Sequence, residues 1–292
     1  MSVLTIENRQ ISVSVDTLGA QMMSLQGVDG LQYLWQGDPA VWKDRSLLLF
    51  PFVARLTENS YLYKGKQYSM GIHGFAKDME FAVVDHTDDC LHLVLTDSAE
   101  TRKQYPFAFC LHVIYTLEDK GVRICYRVEN RSDEDMFFGI GGHPGFRVPL
   151  FENEAFTDYV LAFNCACRPD RLGFSEDLYL NGQDKPYPFV EGKYLHLRHD
   201  LFDEDAIVLK NTARSISLYS GNSGRGVRLD YPGMPYLGIW HMPKTQAQYV
   251  CVEPWSSLPS RQGVVDEFTC KSDLIRLEAG KVWQTEWSIT LF

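Results

Sequence analysis

Mostly apolar residues recur at every second position along much of the chain. Ile11/Val13/Val15, Leu91/Leu93/Leu95, Val122/Ile124/Tyr126/Val128 and Trp283/Thr285/Trp287/Ile289/Leu291 each set one row of side chains on one face of an extended segment. Alternation of this period predicts half-buried strands. Between them stand the turn signals Gly27-Val28-Asp29-Gly30, Lys64-Gly65-Lys66, Glu118-Asp119-Lys120-Gly121 and Asn222-Ser223-Gly224, which favour hairpins over crossover helices and therefore antiparallel sheets. One short helix is predicted over residues 98–104, with Ser98 as its cap and Pro106 as its stop. No linker, charge block or fixed-period repeat divides the chain. The prolines of Arg168-Pro169 and Lys185-Pro186-Tyr187-Pro188 read as surface loops rather than a boundary. The pattern thus predicts an all-β fold, a large antiparallel β-sandwich, as a single domain over residues 1–292.

Composition supports a packed core: 45% of residues are hydrophobic and 23% charged. The formal charge of −10 repels phosphate backbones and anionic lipid alike, so neither nucleic acid nor membrane is expected as a partner. No stretch approaches the roughly 20 apolar residues that span a bilayer. Residues 1–7 lack the basic start and apolar run of a secretory signal, so a cytoplasmic location is expected. The seven cysteines are odd in number and form no Cys-x-x-Cys pair, which predicts reduced, mostly buried thiols with neither a disulfide framework nor a zinc site. Cys165 and Cys167 would share one face of a strand.

Four segments join a titratable residue to glycine, proline or apolar neighbours. Arg55 closes the apolar run Leu48-Leu49-Phe50-Pro51-Phe52-Val53-Ala54. A guanidinium there must pair with a structural carboxylate or reach a polar ligand such as a sugar hydroxyl. His73 sits between glycines in Gly71-Ile72-His73-Gly74-Phe75-Ala76, where it could be a hydrogen-bonded structural histidine or one presented at a rim. His143 lies in Gly139-Ile140-Gly141-Gly142-His143-Pro144-Gly145-Phe146, whose glycines would weaken an ordinary strand and so point to a purpose besides packing. Glu253 ends the apolar run Tyr249-Val250-Cys251-Val252 before Pro254-Trp255. It is either an edge carboxylate in solvent or a buried one of raised pKa suited to proton transfer. Trp240 and Trp255 are candidates to face the C–H surface of a sugar.

In order along the chain, Leu49 to Arg55, His73 to Ala76, Gly141 to Phe146, Leu201 to Ala206, Pro235 to Trp240 and Cys251 to Trp255 resemble the aldose 1-epimerase (galactose mutarotase) family, most closely its LacX-like branch. The resemblance covers nearly the whole chain. It implies a supersandwich of antiparallel sheets with a monosaccharide in an open cleft. His143 is then the general acid toward the ring oxygen, and Glu253 the base toward the anomeric hydroxyl. Arg55, His73 and Trp240 hold the substrate, together with an aspartate for which Asp205 is preferred over Asp203, two residues away on the same strand face. Mutarotation of an aldohexose needs one proton donor and one acceptor and no cofactor or metal. Gly145 replaces a larger residue of better-characterised relatives, which predicts a wider or differently shaped pocket. Three other readings stand beside this one: a carbohydrate-binding or sensing protein without turnover, a hexose-6-phosphate mutarotase, and a glycosidase. The last is disfavoured because it would need two flanking carboxylates. Monomer and homodimer are both open.

Overall fold

The computed structural model describes residues 2–292. Two large sheets dominate. The first has nine strands in the order Tyr194–His196, Tyr159–Phe163, Ser215–Ser220, Gly226–Asp230, Val282–Leu291, Gly121–Asn130, Phe109–Glu118, Cys90–Thr96 and Ala82–His86. The second has seven, in the order Lys185–Pro186, Asp170–Arg171, Ile207–Lys210, Tyr236–Trp240, Tyr249–Trp255, Gly141–Arg147 and Ser46–Leu49. Their ladders run antiparallel, as the turn chemistry predicts. A three-stranded sheet of Val3–Glu7, Ile11–Asp16 and Gln21–Gly27 lies beside them. The Lys64-Gly65 turn joins Tyr63 to its partner Lys66 with φ of 51° and 74°, the mirror-type geometry that matches strand twist.

The period-2 pattern decides what faces what. Leu111, Val113, Ile124, Val128, Trp287 and Ile289 of the nine-stranded sheet share one buried cluster with Ile207, Leu209, Leu237, Ile239, Val250 and Val252 of the seven-stranded sheet. The alternate residues of the seven-stranded sheet face the other way. Leu47, Leu49, Val208 and Trp255 form one cluster there, and Tyr249 and Cys251 another. This second face, away from the main core, carries the candidate site.

Several expectations are corrected in detail. The helix shrinks to one turn, Thr101–Gln104, whose N-cap is Glu100 rather than Ser98; the Ser98 Oγ still accepts the Thr101 N–H at 3.2 Å from the turn before it. Asp170–Arg171 and Lys185–Pro186 are short strands pairing at the sheet edge, where a proline costs no ladder bond on its solvent side. All seven cysteines are free, but only Cys110, Cys125 and Cys251 are buried, and Cys165 and Cys167 lie past the end of the Tyr159–Phe163 strand. The glycine-rich segment around His143 is a buried strand of the seven-stranded sheet, between Tyr249–Trp255 and the edge strand Ser46–Leu49.

Glycine is tolerated in that strand because aromatic rings from other elements fill the space its side chains would take. A Cβ on Gly142 would stand 2.6 Å from the Trp287 ring across the core. On the opposite face, a Cβ on Gly145 would stand 2.8 Å from Trp42, and one on Gly141 3.0 Å from Trp255. The absence of a side chain at Gly145 therefore does not widen the pocket, since Trp42 occupies the space. Gly142→Ala is expected to destabilise the protein by about 1–3 kcal/mol through overpacking against Trp287. Urea unfolding of the variant against the native chain measures it, and an unchanged midpoint would show that Trp287 moves aside freely.

Candidate active site

Strand register explains how His143 and Glu253 meet. The Gly141–Arg147 and Tyr249–Trp255 strands pair Gly141 with Trp255 and Gly145 with Cys251. Counting two residues inward from either pair sets His143 directly opposite Glu253. The side chains of such cross-strand neighbours lie within contact distance on one face. On its other side Glu253 faces Gly238, and His143 faces Leu47. With Val208 beyond Gly238, one row across the sheet reads Leu47, His143, Glu253, Gly238, Val208. All but Gly238 line a cavity of about 370 Å³.

His143 Nε2 and Glu253 Oε2 are 3.2 Å apart and both side chains are buried. Trp255 Nε1–H donates to the same Oε2 at 3.2 Å. No cation pairs with Glu253 among the described residues. Burial pushes its carboxyl well above the ordinary carboxylate range; the Trp255 donor opposes this only in part, and the charge of Asp205 adds a smaller upward push. Burial also lowers the His143 imidazole to about 4. The two shifts together favour the neutral pair, imidazole and carboxylic acid, over an ion pair. His143 Nδ1 is buried without a hydrogen-bond partner. Three rings enclose the imidazole: Trp42 at 5.1 Å between centroids, His73 edge-on at 5.5 Å and Trp240 edge-on at 5.7 Å.

His73 and Arg55 reach the cavity on two loops stitched together by backbone. His73 N donates to Ala54 O at 2.9 Å, and Ala54 N donates back to His73 Nδ1 at 3.1 Å. Because Nδ1 accepts, the neutral ring carries its proton on Nε2. Burial first, then the neighbouring His143, Lys77 and Arg55, hold the imidazole well below its ordinary pKa, so it stays a neutral donor. Gly74 between the loops has φ of 72°, and a Cβ there would strike Phe50 O at 2.2 Å, so only glycine lets the loops approach this closely. Ala54, His73, Leu178 and Asp205 also have positive φ, at 59°, 64°, 65° and 72°. Left-handed backbone at four non-glycine residues around one cavity is the kind of local strain that gathers at functional sites.

Of the residues singled out in the sequence, Arg55, His73, His143, Asp205, Trp240, Glu253 and Trp255 line this one cavity. Arg55 is exposed at the site rather than buried in an apolar run, and it makes no ion pair or side-chain hydrogen bond among the described residues. Asp203 and Asp205 are not on a strand; they lie in the turn between the short helix His199–Phe202 and the strand Ile207–Lys210. Asp205 faces the cavity, while Asp203 lines a neighbouring one. Trp42, which packs on His143, went unnoticed in the sequence because it stands in no motif. Its place is set by long-range packing against Tyr249, with ring centroids 5.3 Å apart. His143, Cys251 and Glu253 offer ligand atoms within 4.8 Å of one another. However, burial and then Glu253 push the Cys251 thiol well above its ordinary range, so it is a poor metal ligand as it stands.

The chain matches the aldose 1-epimerase family over residues 2–290. It is 34% identical over 265 residues to the LacX protein encoded on a plasmid of Lactococcus lactis subsp. lactis, a match covering 87% of this chain and 88% of that one, and to its chromosomal counterpart to the same extent. Among solved structures, a galactose mutarotase related enzyme from Lactobacillus acidophilus is similar at TM-score 0.94 and 33% identity, covering 100% of this chain and 97% of that one. A galactose mutarotase-like protein from Lactobacillus casei is similar at TM-score 0.93 and 32% identity, with both chains covered in full.

Proposed function

Because the chain belongs to the aldose 1-epimerase family, we propose that it is a mutarotase that interconverts the α and β anomers of an aldohexose by ring opening and reclosure. The observation that carries this reading is the contact of His143 Nε2 with Glu253 Oε2 at 3.2 Å in the cavity, with no lysine or arginine among the described residues pairing with the carboxylate. Hemiacetal opening asks for little else: a base for the anomeric O–H and an acid for the ring oxygen. Glu253 takes the anomeric proton as C1–O5 breaks and the aldehyde forms, while His143 gives its proton to O5. Rotation about C1–C2 turns the aldehyde over, and the two transfers reverse to close the other anomer.

The two residues exchange roles within the cycle. Ring opening begins with imidazolium and carboxylate and ends with imidazole and carboxylic acid, so the pair holds one proton throughout. The sugar's hydroxyls supply the ionised Glu253 with donors, and the guanidinium of Arg55 lies at the same cavity. His73 Nε2–H donates to the substrate, Asp205 accepts from a hydroxyl, and Trp240 and Trp42 cover its C–H face. The reading takes residues 1–292 as one domain, since both sheets share a core.

Polarimetry or anomer-exchange NMR tests this with α-galactose, α-glucose and their 6-phosphates. Accelerated equilibration of at least one sugar is expected, and sugar binding without acceleration of any would leave only a binding protein. Trp255→Phe removes the hydrogen bond that Trp255 Nε1–H donates to Glu253 and nearly preserves the packing. It is expected to slow turnover about 10- to 150-fold, the cost of one hydrogen bond to a charged group. The effect should fall mainly on kcat, which steady-state kinetics separates from KM.

A further inference from the structure

The outer face of the nine-stranded sheet carries a cluster of metal-ligating side chain types that the proposed reaction does not use. On the Phe109–Glu118 and Gly121–Asn130 strands, Leu111, Val113, Ile124 and Val128 point into the core. Their alternates Cys110, His112 and Glu129 therefore point away from it, with both sheets between them and the catalytic cavity. Cys110 and His112 stand two apart on one strand, and register places Glu129 directly opposite Cys110 on the next. The outer face of a sheet ordinarily meets solvent, yet Cys110 is 2% and His112 9% exposed.

Cys110 Sγ lies 3.3 Å from His112 Nε2, and that nitrogen lies 3.1 Å from Glu129 Oε1. All three atoms fall within 4.8 Å of one another. A tetrahedral zinc with bonds of about 2.0–2.3 Å holds its ligand atoms roughly 3.3–3.6 Å apart, close to the spacing of this triangle. The other ring nitrogen of His112 is also engaged: Nδ1 is 2.9 Å from His92 Nε2. With its proton on Nδ1, His112 donates to His92 and turns the Nε2 lone pair toward Cys110 and Glu129, the arrangement that orients a metal-bound imidazole. Arg131 holds Glu129 by its other oxygen, Oε2, at 2.9 Å. Arg127 Nη2 competes for Oε1 at 2.6 Å, but its side chain is 40% exposed and free to turn into solvent. Burial raises the Cys110 thiol and the Arg131 charge works against it, whereas at Cys251 the charge of Glu253 adds to burial.

We propose that Cys110, His112 and Glu129 form a zinc site, the ion taking Sγ, Nε2 and Oε1 with water in the fourth position. The thiol proton leaves to solvent, and thiolate and carboxylate together balance the charge of the ion. Mixed sulfur, nitrogen and oxygen donors select zinc over magnesium or calcium. The spacing of paired cysteines along the chain does not announce such a site, because two ligands come from alternate positions of one strand and the third from its neighbour. The ion bridges the two strands and acts on stability rather than on the proton transfers at His143 and Glu253.

The test is titration of the chelator-treated full chain with cobalt and then zinc. One cobalt per chain is expected, with the sulfur-to-metal charge-transfer band of a thiolate ligand and the intense visible bands of four-coordinate cobalt, and zinc should displace it. Cys110→Ser should abolish the charge-transfer band and weaken zinc by about 100-fold or more, while His92→Ala, which removes only the orienting partner, should weaken it about 10- to 100-fold. Arg127→Gln should instead tighten zinc about 2- to 5-fold, because it removes an exposed ion pair that competes for Oε1. Zinc should also raise the thermal midpoint of the native chain and leave that of Cys110→Ser unchanged. If Cys110→Ser does not fold, His112→Gln gives the same loss of affinity. Absence of binding, a charge-transfer band that survives in Cys110→Ser and so reports another thiol, or weaker zinc in Arg127→Gln overturns the site and leaves the cluster as a hydrogen-bond network only.

Discussion

Glu253→Gln is expected to lower kcat/KM for mutarotation about 10³-fold, within the range that a positioned base contributes, while sugar affinity changes little. The substitution keeps the shape and the hydrogen bond from Trp255 Nε1, whose acceptor becomes the amide oxygen. It removes only the ability to take the anomeric proton. Its effect on folding separates chemistry from structure. Below the ordinary carboxyl pKa of 4.5 the acid is protonated in folded and unfolded chains alike. As pH rises past that value the unfolded chain ionises while the buried carboxyl holds its proton. The native state then binds more protons, and its stability falls with pH until the raised folded pKa is passed. Glutamine has nothing to ionise and escapes that loss. Urea unfolding at pH 7.5 should therefore find the variant at least as stable as the native chain, and a large drop would show that the carboxylate is a structural anchor rather than a base.

Much of this site can be read from the sequence because its members sit in short local motifs; its geometry cannot, because it is made by pairing across long separations. The alternation in Val282–Leu291 and Gly121–Asn130 announces strands whatever they pair with. Nothing local announces that His143 and Glu253 are cross-strand neighbours, which depends on the register of two strands over a hundred residues apart. The Gly141–Arg147 strand shows the same limit. Its glycines and proline argue against a packed strand, and the local argument fails because Trp287, Trp42 and Trp255 arrive from three distant segments to fill the gaps. The glycines have a packing purpose after all, and it is what brings aromatic rings against the histidine. Asp205 was found by motif and misplaced by pattern, since a left-handed turn residue beside apolar positions imitates a strand.

The second large effect follows from the pair acting as one unit. His143→Gln should cost about as much as Glu253→Gln, and the double variant little more than either, because neither proton transfer advances without the other. Additive losses, with the double variant near the product of the two, would mean that each residue contributes independently and that the coupled mechanism is wrong. The pH profile carries the same argument. A second proton enters the pair only as pH falls toward about 4, where burial has moved the imidazole. The remaining proton leaves only above the raised carboxyl pKa. Activity depends on the singly protonated pair, so kcat/KM should be bell-shaped, with limbs that belong to the pair rather than to either residue. The acid limb is expected near pH 4 and not at the ordinary imidazole value of 6.5. Anomer-exchange NMR from pH 3.5 to 9 measures both limbs. An acid limb at 6.5 would mean that His143 titrates in open solvent, against its enclosure by Trp42, His73 and Trp240. In Glu253→Gln any residual rate should lose the limb that the carboxyl sets, because that proton is no longer there, and should fall instead as the His143 imidazolium gives up its proton above about 4.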